Sequence, residues 1–218
     1  MKNLILVAFA ILLMASCKKE DVSPDPQNGI DTVSPIITII GDNPLIVKQF
    51  DAYNDPGAIA IDAIDGECIV DISGHVNIDS AKEYVVIYSA SDLSGNSKNI
   101  SRTVIVSGAK YLSGSYIVSD YQSGILVMSY YDSIRGDLNN HNKIWFKKFA
   151  GYQNAVIYGD IVGSKIAIPS QVVLCGSPQI QRTFQGYGSY VKDSVNFNIN
   201  YIETTNGNST SGILKFKK

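Results

Sequence analysis

Hydrophobic and polar positions alternate with a two-residue period along most of this chain. Tyr84-Val-Val-Ile-Tyr88 and Val195-Asn-Phe-Asn-Ile-Asn-Tyr201 are the clearest examples. A period of two places successive side chains on opposite faces of a strand. After residue 35 no segment sustains a helical period. Strands are predicted at Ile36–Ile40, Leu45–Lys48, Cys68–Ile72, Glu83–Ala90 and Ile100–Val106, with breaks rich in Gly, Asp, Asn and Pro. The pattern pauses near Gly108. Eight more strands are then predicted, at Tyr111–Tyr121, Ile125–Tyr131, Lys143–Phe149, Ala155–Ile168, Gln171–Cys175, Ile180–Tyr190, Val195–Ile202 and Ile213–Lys217. The reading is an all-β chain with two domains, 35–108 and 109–218. The first is expected to be a sandwich, and the second an eight-stranded barrel or sandwich.

The first 34 residues follow another pattern. Met1-Lys-Asn3 is a short basic start, Leu4–Met14 is apolar, and Ala15-Ser16-Cys17 supplies small residues before a cysteine. This is the layout of a secretory signal. Its apolar run falls short of the about 20 residues needed to span a bilayer. The Met-Ala-Ser-Cys ending resembles the lipobox of bacterial lipoproteins. That resemblance implies cleavage after residue 16 and acylation of Cys17. Each buried CH₂ contributes about 0.8 kcal/mol, so several acyl chains would hold the protein at a membrane. Residues 17–34 carry Pro24 and Pro26 among polar residues and read as a tether. The start of that tether, Lys18-Lys-Glu-Asp21, is similar to the acidic export signals of Bacteroidetes-type lipoproteins. The expected location is the outer membrane, at the cell surface or the periplasmic face.

Within 35–107, several spaced motifs occur: Pro35-Ile-Ile-Thr-Ile, Asp55-Pro-Gly-Ala58, Asp62-Ala-Ile-Asp65-Gly66, Tyr84–Tyr88 running to Asp92-Leu-Ser-Gly95-Asn96, and Arg102-Thr-Val-Ile-Val106. Together they resemble the bacterial immunoglobulin-like domain of surface lipoproteins and pesticidal crystal toxins. Cys68 departs from the β-branched residue usual there. In 110–218, Gly114-Ser-Tyr116, Ile144-Trp-Phe146, Ile166-Ala-Ile-Pro-Ser-Gln171 and Phe184-Gln-Gly-Tyr-Gly188 resemble the uncharacterised all-β domain that follows such modules in two-domain Bacteroidetes lipoproteins. That likeness implies an envelope lipoprotein, often linked to glycan uptake, with no known ligand.

The net charge of −2 gives no electrostatic footprint for nucleic acid. With Cys17 acylated, Cys68 and Cys175 remain, and their count alone does not settle whether they pair. His75 and His141 lack metal-ligand spacing, and neither a nucleophile elbow nor a phosphate loop is present. Asp62, Asp65 and Asp92 do not follow a calcium-loop spacing and read as turn caps, so neither metal nor cofactor is expected. A glycosidase needs two facing carboxylates. Asp120, Asp132, Asp137, Asp160 and Asp193 supply carboxylates, but most adjoin turn residues, and a non-catalytic protein is expected.

The chain has 13 tyrosines and one tryptophan. Sugars offer C–H faces to aromatic rings and hydroxyls to amides. Trp145, flanked by Lys143 and Lys147, and the amide row Asn196, Asn198 and Asn200 therefore form the candidate ligand-binding surface. Phe149 would share the Trp145 face. Four triplets, Asp31-Thr32-Val33, Asp79-Ser80-Ala81, Asp132-Ser133-Ile134 and Asp193-Ser194-Val195, resemble the O-glycosylation acceptor of Bacteroidetes envelopes. They nominate Thr32, Ser80, Ser133 and Ser194. The expected function is a lipid-anchored binding module for a glycan or an outer-membrane protein partner. The alternative is a structural subunit with no small ligand.

Overall fold

The structure is a computed structural model that describes residues 29–194 and 196–218. The signal, Cys17 and most of the tether lie outside the described residues.

The chain is all-β. The first unit holds seven strands: β1 (Ile36–Ile39), β2 (Leu45–Lys48), β3 (Ala58–Asp62), β4 (Gly66–Cys68), β5 (Val70–Ser73), β6 (Glu83–Ser91) and β7 (Ser97–Ser107). They form two sheets, β1-β3-β4 and β2-β7-β6-β5, with β2 parallel to β7. Tyr84, Val86, Tyr88 and Ala90 of β6 bury the face that alternation assigns to the core, together with Ile37, Ala60, Val104 and Val106. Strand β3 was not expected, because its pattern is inverted. Its isoleucines, Ile59 and Ile61, face outward, while Ala60 and Asp62 face in.

The family-like motifs of this unit converge on a buried charge. Arg102 is fully buried, and its Nη2 donates to the carbonyls of Ile40 (2.6 Å) and Gly57 (3.1 Å). It also stands 3.9 Å from Asp55 Oδ1. Asp55 accepts from Tyr88 (2.6 Å), Tyr53 (2.8 Å) and the Gly57 N–H (2.8 Å). Burial pushes this carboxyl up, but those hydrogen bonds and the guanidinium outweigh it and hold Asp55 below its ordinary value. Asp55-Pro-Gly-Ala58 and Arg102 thus fix the packing of the two sheets.

A short helix, α1 (Gly108–Leu112), joins the units, capped by Ser107. Tyr111 and Leu112 belong to this helix and not to the predicted strand. The second unit runs through β8 (Gly114–Gln122), β9 (Ile125–Gly136), β10 (Lys143–Phe146), β11 (Ile157–Val162), β12 (Lys165–Cys175), β13 (Ile180–Ser189), β14 (Phe197–Thr205) and β15 (Asn208–Lys217). Every strand pairs antiparallel with its neighbour, and β9 to β10 and β15 to β8 complete a closed up-and-down barrel. Closure removes free sheet edges, which decides between the barrel and the sandwich. The number of strands matches expectation, but their boundaries differ, most of all in β11 and β12. Ala155–Ile168 is split by a hairpin at Gly163-Ser164, and Gln171–Cys175 continues β12 across a bulge.

The barrel interior is packed rather than hollow. Phe146, Phe149, Phe184, Phe197, Phe216, Tyr116 and Tyr201 meet there with centroids 4.5–5.8 Å apart across the pairs Phe197–Phe216, Phe149–Phe184 and Phe149–Tyr201. The motif Phe184-Gln-Gly-Tyr-Gly188 follows from this. Phe184, Gly186 and Gly188 are its inward positions, and Gln185, Tyr187 and Ser189 its outward ones. A Cβ at Gly212 would collide with the Tyr201 ring, so only glycine lets that ring lie against β15.

A buried joint connects the units. Gln49 is fully buried, and its amide donates to Asp79 O (2.9 Å), Gly163 O (3.1 Å) and Ser164 Oγ (3.2 Å), while its Oε1 accepts from Tyr190. Phe50, Tyr111 and Tyr190 pack around it. Ser107 Oγ donates to His141 O (2.6 Å), and Ala81 pairs with Gly163. These contacts hold the barrel at a set angle to the first unit.

Candidate functional site

The barrel topology separates the two halves of the expected ligand surface. Trp145 lies on β10 and the Asn row belongs to β14 and the residues just before it. In the closed order these strands are four apart in both directions, so they occupy opposite walls. Trp145 and Asn196, Asn198 and Asn200 therefore do not form one surface. Sequence parity gives a residue's face, whereas strand order around the barrel decides which faces adjoin.

Trp145 is half-buried and outward-facing, and its Nε1 donates to Asp137 Oδ2 at 2.8 Å. Its ring stands 5.5 Å from that of Tyr158, over which Lys143 places its ammonium at 3.9 Å. Trp145 thereby pins the segment between β9 and β10. The hollow beside it, with Arg135 and Lys147, has a volume of about 340 Å³. Phe149 does not share this face. Strand β10 ends at Phe146, and a 3₁₀ turn at Phe149–Gly151 returns Phe149 to the core.

The Asn row lies on a more concave wall. Asn196 and Asn198 are exposed and Asn200 is half-buried, while Phe197, Ile199 and Tyr201 point into the core as alternation requires. Cross-strand register makes an outward row of Tyr187, Asn200, Ile213 and Tyr121 over four adjacent strands. With strands about 4.8 Å apart, the two tyrosines are separated by about 14 Å along the wall. They flank a groove of about 810 Å³, whose lining also includes Gln185, Ile202, Ser211 and Lys215. The Lys215 ammonium sits 4.3 Å over the Tyr121 ring. A neighbouring hollow of about 630 Å³ shares Tyr187 and Asn200 and adds Asn196, Asn198 and Lys165. Tyr121 gave no signal in the sequence, because only closure of the barrel brings β8 beside β15.

Among the described residues, neither a carboxylate nor a histidine lines the larger groove. The barrel's buried carboxylates are engaged elsewhere. Asp120 accepts from Tyr201 at 3.0 Å through both oxygens. Burial pushes its carboxyl above the ordinary value despite that hydrogen bond. Asp132 is likewise raised by burial, against hydrogen bonds from the backbone N–H groups of Ser133, Lys148 and Lys147. Glu203 is paired with Arg182 and accepts from Tyr152 at 3.2 Å.

Thr32 is exposed, and Ser80 and Ser194 are half-buried outside the strands. Ser133 is exposed within β9, but its neighbours Asp132 and Ile134 point into the barrel. Cys68 and Cys175 are free thiols, and burial raises both. Asp62, Asp65 and Asp92 each cap a turn. Asp62 Oδ1 accepts from Ile64 N (2.7 Å) and Asp65 N (3.0 Å), and Asp65 Oδ2 from Leu93 N (2.8 Å). Asp92 Oδ1 accepts from Asn96 N (2.8 Å).

No curated protein matches the chain. Among solved structures it is similar to a lipoprotein of Bacteroides thetaiotaomicron, with 17% identity over 84% of this chain and 100% of that one. The TM-score is 0.33. Residues 37–106 match the family model of the bacterial surface protein Ig-like domain, and the first unit of this chain is a module of that kind.

Proposed function

We propose that the protein is a non-catalytic, lipid-anchored binding protein of the cell envelope, held at the outer membrane through Cys17, whose barrel engages a glycan. The observation that carries this reading is the Tyr187–Asn200–Ile213–Tyr121 row along the 810 Å³ groove. Two rings offer stacking faces, and Asn200, Gln185 and Ser211 offer partners for hydroxyls. A groove without carboxylate or histidine among the described residues suits retention of a sugar rather than its hydrolysis. The immunoglobulin-like unit serves as a spacer, and the buried joint sets the angle at which it presents the barrel.

The test is a glycan array probed with the soluble chain from residue 29 onward, followed by Tyr187→Ala and Asn200→Ala. Expected is a positive glycan class whose affinity falls at least tenfold in each variant, with Trp145→Ala unchanged. An array without signal, or affinity lost only in Trp145→Ala, rejects the groove.

A second reading, a structural or assembly subunit, is favoured by a different feature. Ile125, Leu126, Val127 and Met128 are consecutive, and all are 41–71% exposed. They lie where the β8–β9 pairing becomes irregular, so apolar side chains face outward on both sides of this arm. A contiguous exposed apolar run of this kind suits docking to a protein partner.

A further inference from the structure

Three carboxylates meet at one end of the immunoglobulin-like unit, and they come from three separate parts of the chain. Asp31 precedes β1, Asp62 ends β3, and Asp92 follows β6. One oxygen from each lies within 4.8 Å of the others. Among the described residues, no Lys or Arg forms an ion pair with any of them.

The hydrogen bonds around this cluster account for some of its oxygens and not for others. Asp62 Oδ1 caps the turn to Asp65, and Asp31 Oδ1 accepts from Val33 N at 2.9 Å. Among the described residues, the second oxygens, Asp62 Oδ2 and Asp31 Oδ2, are buried and have no hydrogen-bond partner. Asp62 as a residue is only 3% exposed and Asp92 8%. Burying a carboxylate oxygen without a donor or a cation is costly, and doing so twice beside a third carboxylate compounds that cost. The surrounding scaffold also holds the three in place. Asn96 Nδ2 donates both to Asp92 Oδ2 (2.8 Å) and to the Asp31 carbonyl (3.0 Å), tying the segment before β1 to the turn after β6.

We propose that Asp31, Asp62 and Asp92 form a calcium site that fastens the segment leading into the domain onto the domain itself. The donor set is all oxygen, which selects a hard cation over zinc or copper. Oxygens up to 4.8 Å apart can share an ion whose oxygen distances are about 2.3–2.6 Å, whereas magnesium requires about 2.0–2.1 Å and near-ideal octahedral geometry. Water and backbone carbonyls complete the coordination. Asp65 lies outside this cluster, with its Oδ2 accepting from Leu93 N, and the third carboxylate comes instead from Asp31, which is remote in sequence. With calcium bound, the chain before β1 becomes continuous with the rigid body of the domain. Without it, three like charges push that segment away.

The experiment is calorimetric titration of the EDTA-stripped full-length protein in detergent with CaCl₂ and, separately, MgCl₂. Expected is one calcium per chain with a Kd of about 10⁻³ M or tighter, the range of extracellular modules, and much weaker magnesium binding. Asp62→Asn retains the turn-capping oxygen but not the charge, and Asp31→Asn lies outside every strand. Each should weaken calcium binding at least tenfold, and calcium should protect the segment around Asp31 from proteolysis in the wild type alone. Absence of saturable binding to about 10 mM CaCl₂, equal affinity for magnesium, or unchanged affinity in Asp31→Asn would overturn the site.

Discussion

Asp55 in the immunoglobulin-like unit and Asp120 in the barrel are alike at first sight. Each is a largely buried carboxylate that accepts from a tyrosine hydroxyl, Tyr88 at 2.6 Å and Tyr201 at 3.0 Å. Their titrations nevertheless move in opposite directions. Asp55 has the Arg102 guanidinium and the Gly57 N–H beside it and is held below its ordinary value. Asp120 has Glu203 in its surroundings instead, and burial carries it above. The first unit therefore uses its buried charge to fix a small core, whereas the barrel has an aromatic core large enough to tolerate charge that does not help it. Small domains bury less surface and depend more on specific polar contacts.

The largest effect that would sharpen this contrast is expected in the barrel core. Phe149→Ala removes a fully buried ring that touches Phe146, Phe184 and Tyr201, and should cost about 3–5 kcal/mol in chemical denaturation. If the loss is under about 1 kcal/mol, the barrel core is not the dominant store of stability. Next is the joint. Gln49→Ala removes one hydrogen-bond partner each from Tyr190 and the carbonyls of Asp79 and Gly163 and should cost about 1–3 kcal/mol. Calorimetry should then resolve two transitions, one for each unit, where the wild type shows coupled unfolding. A single unchanged transition would mean that the units are not coupled through this residue.

The smallest effects concern pH, and they should have opposite signs. Asp55 has a lowered folded-state pKa, so its contribution is present above the ordinary carboxylate pKa of about 3.9 and is lost as the pH falls through the lowered value. Asp55→Asn should destabilise the protein at neutral pH, and the difference from wild type should vanish in acid. Asp120 has a raised folded-state pKa. Its contribution is fully present below about 3.9 and is lost as the pH rises through the raised value. Asp120→Asn, which keeps an acceptor for Tyr201, should therefore be more stable than wild type at neutral pH, with the gain disappearing in acid. Melting temperatures across the acid range decide both, and variants that shift in the same direction would dissolve the comparison.

Much of the fold was legible in the alternation. Tyr84, Val86 and Tyr88, and Phe197, Ile199 and Tyr201, bury the faces that a period of two assigns to them. The immunoglobulin-like motifs were legible too, because Asp55, Gly57 and Arg102 form one network in the folded unit. Errors arose where local pattern and tertiary demand diverge. Strand β3 hides because its larger side chains face outward, and Tyr111 and Leu112 enter a helix because the joint needs a turn between the two units. The candidate site was legible only in part. The Asn row faces out as read, but the ring nominated to accompany it stands on the opposite wall.

Local pattern was enough to give the core-facing positions of the regularly alternating strands, the main turns and the eight strands of the second half, since these depend on neighbours within a few residues. Only the tertiary structure decided that those strands close into a barrel and that Tyr121 and Tyr187 flank Asn200. It also decided that Asp31, rather than Asp65, joins Asp62 and Asp92. Each of these is a contact between segments far apart in the chain. Period and spacing carry no information about such contacts until strand order and register bring the segments side by side.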